Sequence, residues 1–177
     1  MNHSDHVRLI RDGVTGGGSV WADLGSGEGA FTLALADLLG PSGYIYSVDT
    51  DARALQEQRR ELQAGFPAVK LEQRAADFTR PLDLPPLDGI VMANSLHFQR
   101  RKEPVLRLVR GMLKPGGRLV LVEYNADRGN WWVPYPMSYP TWEALATANG
   151  FVETRLLTTQ PSRFLREIFS ALSYTPL

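Results

Sequence analysis

Apolar positions along the chain change period repeatedly, and each change predicts an element. Val20-Trp-Ala-Asp-Leu24 is a short, nearly continuous apolar run of strand length. Phe31, Ala34, Leu35 and Leu38 then recur at helical spacing, and Tyr44 to Val48 is a second β-rich run ending in Asp49. Thr50 or Asp51 can cap a helix that runs to about Ala64, where Gly65-Phe66-Pro67 stops it. The apolar side of that helix is thin, with Leu55 and Leu62 only. Ala68 to Glu72 supplies a third short strand, and after a proline-rich loop from Pro81 to Leu87 the residues Asp88 to Asn94 read as a buried strand. Val105, Leu106, Val109, Met112 and Leu113 share one side of a helix over Arg101 to Leu113. A Lys114-Pro-Gly-Gly117 turn leads into the buried strand Arg118 to Tyr124.

Near the C-terminus, Thr141 to Asn149 reads as a short helix ended by Gly150. Phe151 to Leu157 and Phe164 to Leu172 read as strands joined by Thr159-Gln-Pro-Ser162, although the second also fits a helix on pattern alone. Ahead of everything stands a short helical pattern with Val7 and Ile10, then the linker Gly16-Gly17-Gly18. Alternating strands and helices of this kind predict a doubly wound α/β sheet. Residues 1–18 are expected to be a helix and linker, and residues 19–177 one domain.

Composition excludes several classes. Lysine plus arginine equals aspartate plus glutamate, so no bulk charge draws the chain to nucleic acid or to an anionic membrane. With no cysteine there is no thiolate nucleophile or thiolate metal site. His3, His6 and His97 are too few and too scattered for a histidine metal centre, and the first two are expected to be frayed surface residues. No apolar run approaches the ~20 residues of a membrane span, so a soluble cytoplasmic protein with no membrane partner is the expectation. Glu103, Arg107, Arg110 and Lys114 share the polar side of their helix, a pattern that fits a solvated face better than an RNA contact on a chain of zero net charge.

Candidate chemistry concentrates at Asp23-Leu-Gly-Ser-Gly-Glu-Gly29, between the first strand and the first long helix. Gly25, Gly27 and Gly29 allow a sharp turn and let a ligand approach bare main chain, with Ser26 between the first two. The helix that follows presents free N–H groups to that ligand. Asp49, at the tip of the next strand, can accept from the vicinal hydroxyls of a ribose, and Thr50 lies beside it. The alternative is an ordinary tight turn with Asp49 a strand-end residue. A dinucleotide is tolerated by the turn, since Ala30 can stand where the third glycine of its fingerprint falls. Asp23 and Glu28 beside a pyrophosphate would nevertheless be unfavourable.

The motif Asp23-x-Gly-x-Gly-x-Gly29 resembles motif I of the class I S-adenosylmethionine-dependent methyltransferases. Three later segments resemble the same family in order: Asp77-Phe78, the stretch Asn94-Ser-Leu-His-Phe98, and Leu113-Lys-Pro-Gly-Gly-Arg-Leu119. The resemblance runs from Val20 to the C-terminus and is nearest to the UbiE-like small-molecule branch. It implies a seven-stranded, mostly parallel sheet of order 3-2-1-4-5-7-6 with an antiparallel terminal hairpin. It also implies S-adenosylmethionine as cofactor, with Asp23 helping to place the methionine part and Asp77 and Phe78 on the adenine side. Asn94 would join the cofactor site. Members that methylate glutamine, adenine or cytosine nitrogen carry Asn/Asp-Pro-Pro-aromatic where this chain has Asn94-Ser95-Leu96-His97, so a small-molecule acceptor is implied and nucleic acid is not.

On the acceptor side, His97 and Glu123 are the candidate bases, since both follow or end strands at the cofactor edge. A structural hydrogen bond is the alternative for His97. The segment from Asp127 to Pro140 is rich in aromatics and prolines, and Trp131, Trp132, Tyr135 and Tyr139 are expected to wall an apolar acceptor pocket with His97 at its floor. The two tryptophans could instead pack over the last helix. Methyl transfer to a small molecule by in-line displacement is therefore the expected activity. Its rivals are an NAD-dependent reductase, for which no Tyr-x-x-x-Lys pair exists, and a non-catalytic module that binds the methyl donor. No metal is expected.

Overall fold

The computed structural model describes residues 1–177. Its seven strands are β1 (Val20–Leu24), β2 (Tyr44–Asp49), β3 (Lys70–Ala75), β4 (Leu87–Ala93), β5 (Leu113–Tyr124), β6 (Val152–Pro161) and β7 (Glu167–Tyr174). They form one sheet in the order β3-β2-β1-β4-β5-β7-β6. All neighbours from β3 to β5 pair in parallel, and β7 runs antiparallel to both β5 and β6. The expected topology is present, reversed strand included.

Why the sheet is covered on both faces is legible in β5. Leu119 and Leu121 point into one core and Val120 and Val122 into the other, the period-two alternation of a strand buried on both sides. The first core, with Ile90, Met92, Leu106 and Trp142, lies under the helices α4 (Glu103–Met112) and α5 (Tyr139–Ala148). The second, with Trp21, Leu35, Ile45 and Leu172, lies under α1 (His3–Ile10), α2 (Ala30–Leu39) and α3 (Ala52–Gly65). None of these helices is long and apolar enough to cross a membrane.

Several boundaries differ from the sequence pattern, each for a physical reason. β3 starts and ends later than expected because its partner β2 sets the register, with Tyr44 opposite Lys70 and Asp49 opposite Ala75. The Lys114–Gly117 turn is a bulge inside β5: Leu87 pairs with Leu113, Gly89 pairs with Arg118, and Gly116 sits at φ 68°. β7 is a strand, since Ile168 to Ser173 are buried between two paired neighbours.

The N-terminal helix is more firmly held than its sequence suggests. Asn2 and Asp5 close a reciprocal capping box, and Leu9 and Ile10 are fully buried in the second core. His3 and His6 are not frayed. A His3 ring nitrogen lies 3.2 Å from Asp37 Oδ2, and the His6 ring packs 4.9 Å from Phe31. Helix α1 thus covers the sheet face opposite α4 and α5.

Candidate active site

The glycine turn hangs from β2. Gly25 and Ser26 donate their N–H groups to the Val48 carbonyl at 2.8 and 3.1 Å. At Gly25 the turn needs φ 78°, and a Cβ there would sit 2.5 Å from the Ser95 Cβ. Gly29, at φ 91°, has its missing Cβ replaced by the Gln58 side chain, 2.3 Å from where that atom would lie. Ser95 Oγ in turn donates to the Leu24 carbonyl at 2.8 Å, so the end of β4 braces the end of β1.

Against this turn lies a cavity of about 510 Å³, bordered by Gly25, Gly27, Asp49, Thr50, Asp77 and Phe78 on one side. Asn94, Ser95, Phe98 and Gln99 close the other. Asp49 Oδ2 accepts the Gly27 N–H at 2.8 Å and Oδ1 accepts the Asp51 N–H at 2.9 Å, which leaves each oxygen a second lone pair. Asp77 Oδ1 accepts from the Thr79 hydroxyl at 2.7 Å and the Thr79 N–H at 2.8 Å, and these bonds hold the carboxyl below its ordinary range. Asn94 is held at φ 51°, and its buried Oδ1 has no hydrogen-bond partner.

Two expected cofactor residues lie beneath the turn instead of facing the cavity. Asp23 is buried and accepts from Thr32 Oγ1 at 2.6 Å, and burial pushes its carboxyl up to about 7. Ser26 Oγ lies 2.7 Å from Ser47 Oγ. Gln58 joins the two through Thr32 Oγ1 at 2.9 Å and Ser47 Oγ at 2.8 Å, so one buried polar network supports the whole turn. The sequence did carry a signal for Gln58: it is a polar residue midway between Leu55 and Leu62 on the apolar side of α3.

A second cavity, of about 520 Å³, adjoins the first and shares Asn94 and Phe98 with it. His97, Tyr124, Trp132, Val133 and Phe164 complete its lining. His97 and Glu123 are both buried. Glu123 Oε2 lies 2.8 Å from His97 Nδ1, and Oε1 accepts the His97 N–H at 3.0 Å. With the proton on Nδ1, as a carboxylate partner requires, Nε2 carries the free lone pair and has no protein partner. Burial, with Glu123 adding to it, pushes the Tyr124 phenol up, which keeps it a protonated donor.

Of the four aromatics expected to wall this cavity, Trp132 alone borders it. Trp131 is 91% exposed and packs on neither helix nor cavity. Tyr139 lies at the start of α5, its ring 5.9 Å from Phe169 and its hydroxyl donating to Glu143 at 2.8 Å. Tyr135 contributes its backbone: its N–H donates to the His97 carbonyl at 3.0 Å, and its own carbonyl accepts from Lys102 Nζ at 2.8 Å. The same amine donates to the Gln99 carbonyl at 3.0 Å, and desolvation lowers its pKa. Phe164 reaches the cavity because β6 continues to Pro161, four residues beyond its expected end.

A sheet in this order with β7 reversed, a glycine turn after β1 and an acid after β2 define a class I methyltransferase fold. The chain belongs to the methyltransferase-domain family, whose model matches residues 17–172. It is 29% identical over 155 residues to the reducing polyketide synthase grgA of a Penicillium species, covering 73% of this chain and 6% of that protein. It is 32% identical over 119 residues to the ubiquinone/menaquinone biosynthesis C-methyltransferase UbiE of Hahella chejuensis, covering 66% of this chain and 47% of that one. The chain therefore spans about half the length of one of these curated relatives and a small part of the other. The N-methyltransferase NodS of Bradyrhizobium japonicum WM9, solved with S-adenosyl-L-homocysteine, superposes with a TM-score of 0.74 at 21% identity, over 99% of this chain and 86% of that one. At that identity the likeness shows the fold.

S-adenosylmethionine is the cofactor, and the first cavity fits it. Its lining offers two carboxylates and no cation. Such a set suits a ligand with hydroxyl and amine donors and positive charge, and it opposes the pyrophosphate of NAD.

Proposed function

We propose that this chain methylates a small, largely apolar acceptor at a position that must lose a proton, with His97 as the base. The observation that carries this reading is the buried His97–Glu123 pair at 2.8 Å, bordering a cavity that adjoins the donor site. Asp49 would hold the ribose hydroxyls, and Asp77 the adenine amino group with Phe78 beside the base. Asn94 borders the same cavity and would join the donor site. The bound donor supplies a methyl group activated for displacement by its positive sulfur.

The chain's own work is placement, deprotonation and exclusion of water. His97 Nε2 accepts the acceptor's proton while Glu123 fixes the ring and stabilises its cationic form. An acceptor so deprotonated would take the methyl carbon while the donor's sulfur leaves with the bonding pair as a neutral thioether. Tyr124, a protonated phenol on the same cavity, can donate to an acceptor oxygen that gains negative charge. A carbon acid beside a carbonyl or a phenol meets these demands, and UbiE is by name a C-methyltransferase.

Incubation with isotopically labelled donor and a panel of phenols and β-dicarbonyl compounds, read by mass spectrometry, tests the reading. Labelled product that depends on His97 is expected. Donor binding with no transfer to any acceptor would favour the non-catalytic module, and transfer undiminished in His97→Asn would remove the base.

A further inference from the structure

The mouth of the second cavity is built by three loops. The first follows β4, from Leu96 to Lys102; the second joins β5 to α5; the third is the tip of the β6–β7 hairpin. They form one rim. Tyr135 N–H donates to the His97 carbonyl at 3.0 Å, joining first to second. Asn125 joins second to third, its N–H donating to the Glu167 carbonyl at 2.9 Å and its Nδ2 to Glu167 Oε1 at 2.6 Å.

Every one of these loops turns large apolar side chains to water. Phe98 is 58% exposed, Trp132 72% and Phe164 55%, and Trp131 is more exposed still. Every loop also carries exposed arginine: Arg100 and Arg101 on the first, Arg128 on the second, Arg163 and Arg166 on the third. None of the five makes an ion pair. The acids among them are occupied, Asp127 by Ser138 and Glu167 by Asn125. A chain of zero net charge thus carries unpaired cations and exposed aromatics on the three loops that supply one apolar opening.

We propose that this rim seats on the surface of an anionic lipid bilayer, with the cavity mouth turned to the lipid so that an apolar acceptor enters without crossing water. Indole and phenyl rings settle at the boundary of headgroup and acyl chain, and cations beside them are drawn to anionic headgroups. An acidic protein would match the arginines equally well. The aromatics decide for lipid, because they stand on separate loops around an opening and a fluid surface takes them in without matching their shape. This adds to the absence of a membrane-crossing helix, since the contact is peripheral. The orientation rests on the second cavity being the acceptor site; the contact itself does not.

The full chain is mixed with vesicles of phosphatidylcholine alone or of phosphatidylcholine with phosphatidylglycerol, without donor or acceptor, and followed by co-sedimentation and tryptophan emission. Binding to the anionic vesicles with a blue shift is expected, and raising the salt to ~1 M, where screening acts within about 3 Å, should release the protein. Arg128→Ala and Arg163→Ala should each lower partitioning about fivefold. Trp131→Ala with Trp132→Ala should lower it on the order of tenfold. All four side chains are exposed, and unchanged circular dichroism shows the variants folded. Failure to bind either vesicle overturns the proposal, as does binding that survives both sets of substitutions. Capture by an acidic protein surface without vesicle binding overturns it in favour of a protein partner. Methyl transfer is not the readout, so this outcome and that of the His97 experiment are independent.

Discussion

Glu123 engages His97 at two points, the ring through Oε2 and the backbone N–H through Oε1. One carboxylate therefore fixes both the tautomer of the imidazole and the path of the chain that carries it, from the neighbouring strand β5. Tyr124 follows immediately in sequence, and its ring meets the His97 ring edge-on at 5.7 Å. Rotation of the imidazole is opposed on both sides.

Glu123→Gln should leave donor affinity nearly unchanged and lower kcat by about a hundredfold or more, the scale of a lost oriented base. Donor calorimetry and single-turnover kinetics check the two halves. A kcat within twofold of wild type would assign the pair to structure alone.

Asp49→Ala should weaken donor binding by roughly 1.5–3 kcal/mol, the range for a hydrogen bond to a charged group. The carboxylate also accepts from Gly27 and Asp51, so Asp49→Asn is the needed companion: its amide oxygen can still accept one of those bonds. Calorimetry with donor on both variants checks this. Equal affinity in wild type and Asp49→Ala would remove the acid from the site.

Asp23 makes stability depend on pH. Its folded pKa, about 7, lies above the ordinary carboxylate value near 3.8. Between those values the unfolded chain has lost the proton and the folded chain keeps it, so stability falls as pH rises through this window and levels off above 7. The span is worth on the order of 4 kcal/mol at most. Asp23→Asn lacks the group that titrates, so the variant should gain on wild type between pH 4.5 and 7.5, roughly the ends of that window. Urea unfolding at both values measures it. A constant difference would mean that Asp23 titrates normally.

Lys102→Met should raise the acceptor KM and spare donor affinity, because the amine joins two loops of the second cavity through the Gln99 and Tyr135 carbonyls. Leaving those carbonyls unpaired should also cost about 1–3 kcal/mol of stability. Steady-state kinetics with thermal unfolding tests both, and unchanged KM would show that the loops hold their places without the lysine.

How far the sequence reaches is visible in particular residues. Val20 to Asp49 declared its strand, turn, helix and acid because each is a local pattern, and the reversed β7 followed from family resemblance. His97, which lines the second cavity, and its buried partner Glu123 were legible as candidates, because both follow or end strands on one sheet edge. The cavity's walls were not. Trp131 and Trp132 are neighbours in sequence, yet one borders the cavity and the other stands in water, a difference set by the turn through Asn130, whose Oδ1 accepts from Trp132 N–H and Val133 N–H at 2.9 Å. Phe164 depended on the length of a hairpin, and Lys102 on carbonyls from two loops, neither of which a period reveals. That Asp23 acts from beneath the turn, bonded to Thr32, was not legible because its motif does not say which side of β1 it takes.

Asn94 and Phe98 belong to the walls of both cavities, so the two spaces meet at a gap that those side chains frame. That geometry invites a bisubstrate inhibitor. A compound with an adenosyl head in the glycine-turn cavity and an aromatic arm passing Phe98 would occupy both at once. Its second contact would then form within a single complex, at an effective concentration in roughly the millimolar range for a short flexible link. Selectivity would come from the arm, because it alone meets Trp132, Val133 and Phe164.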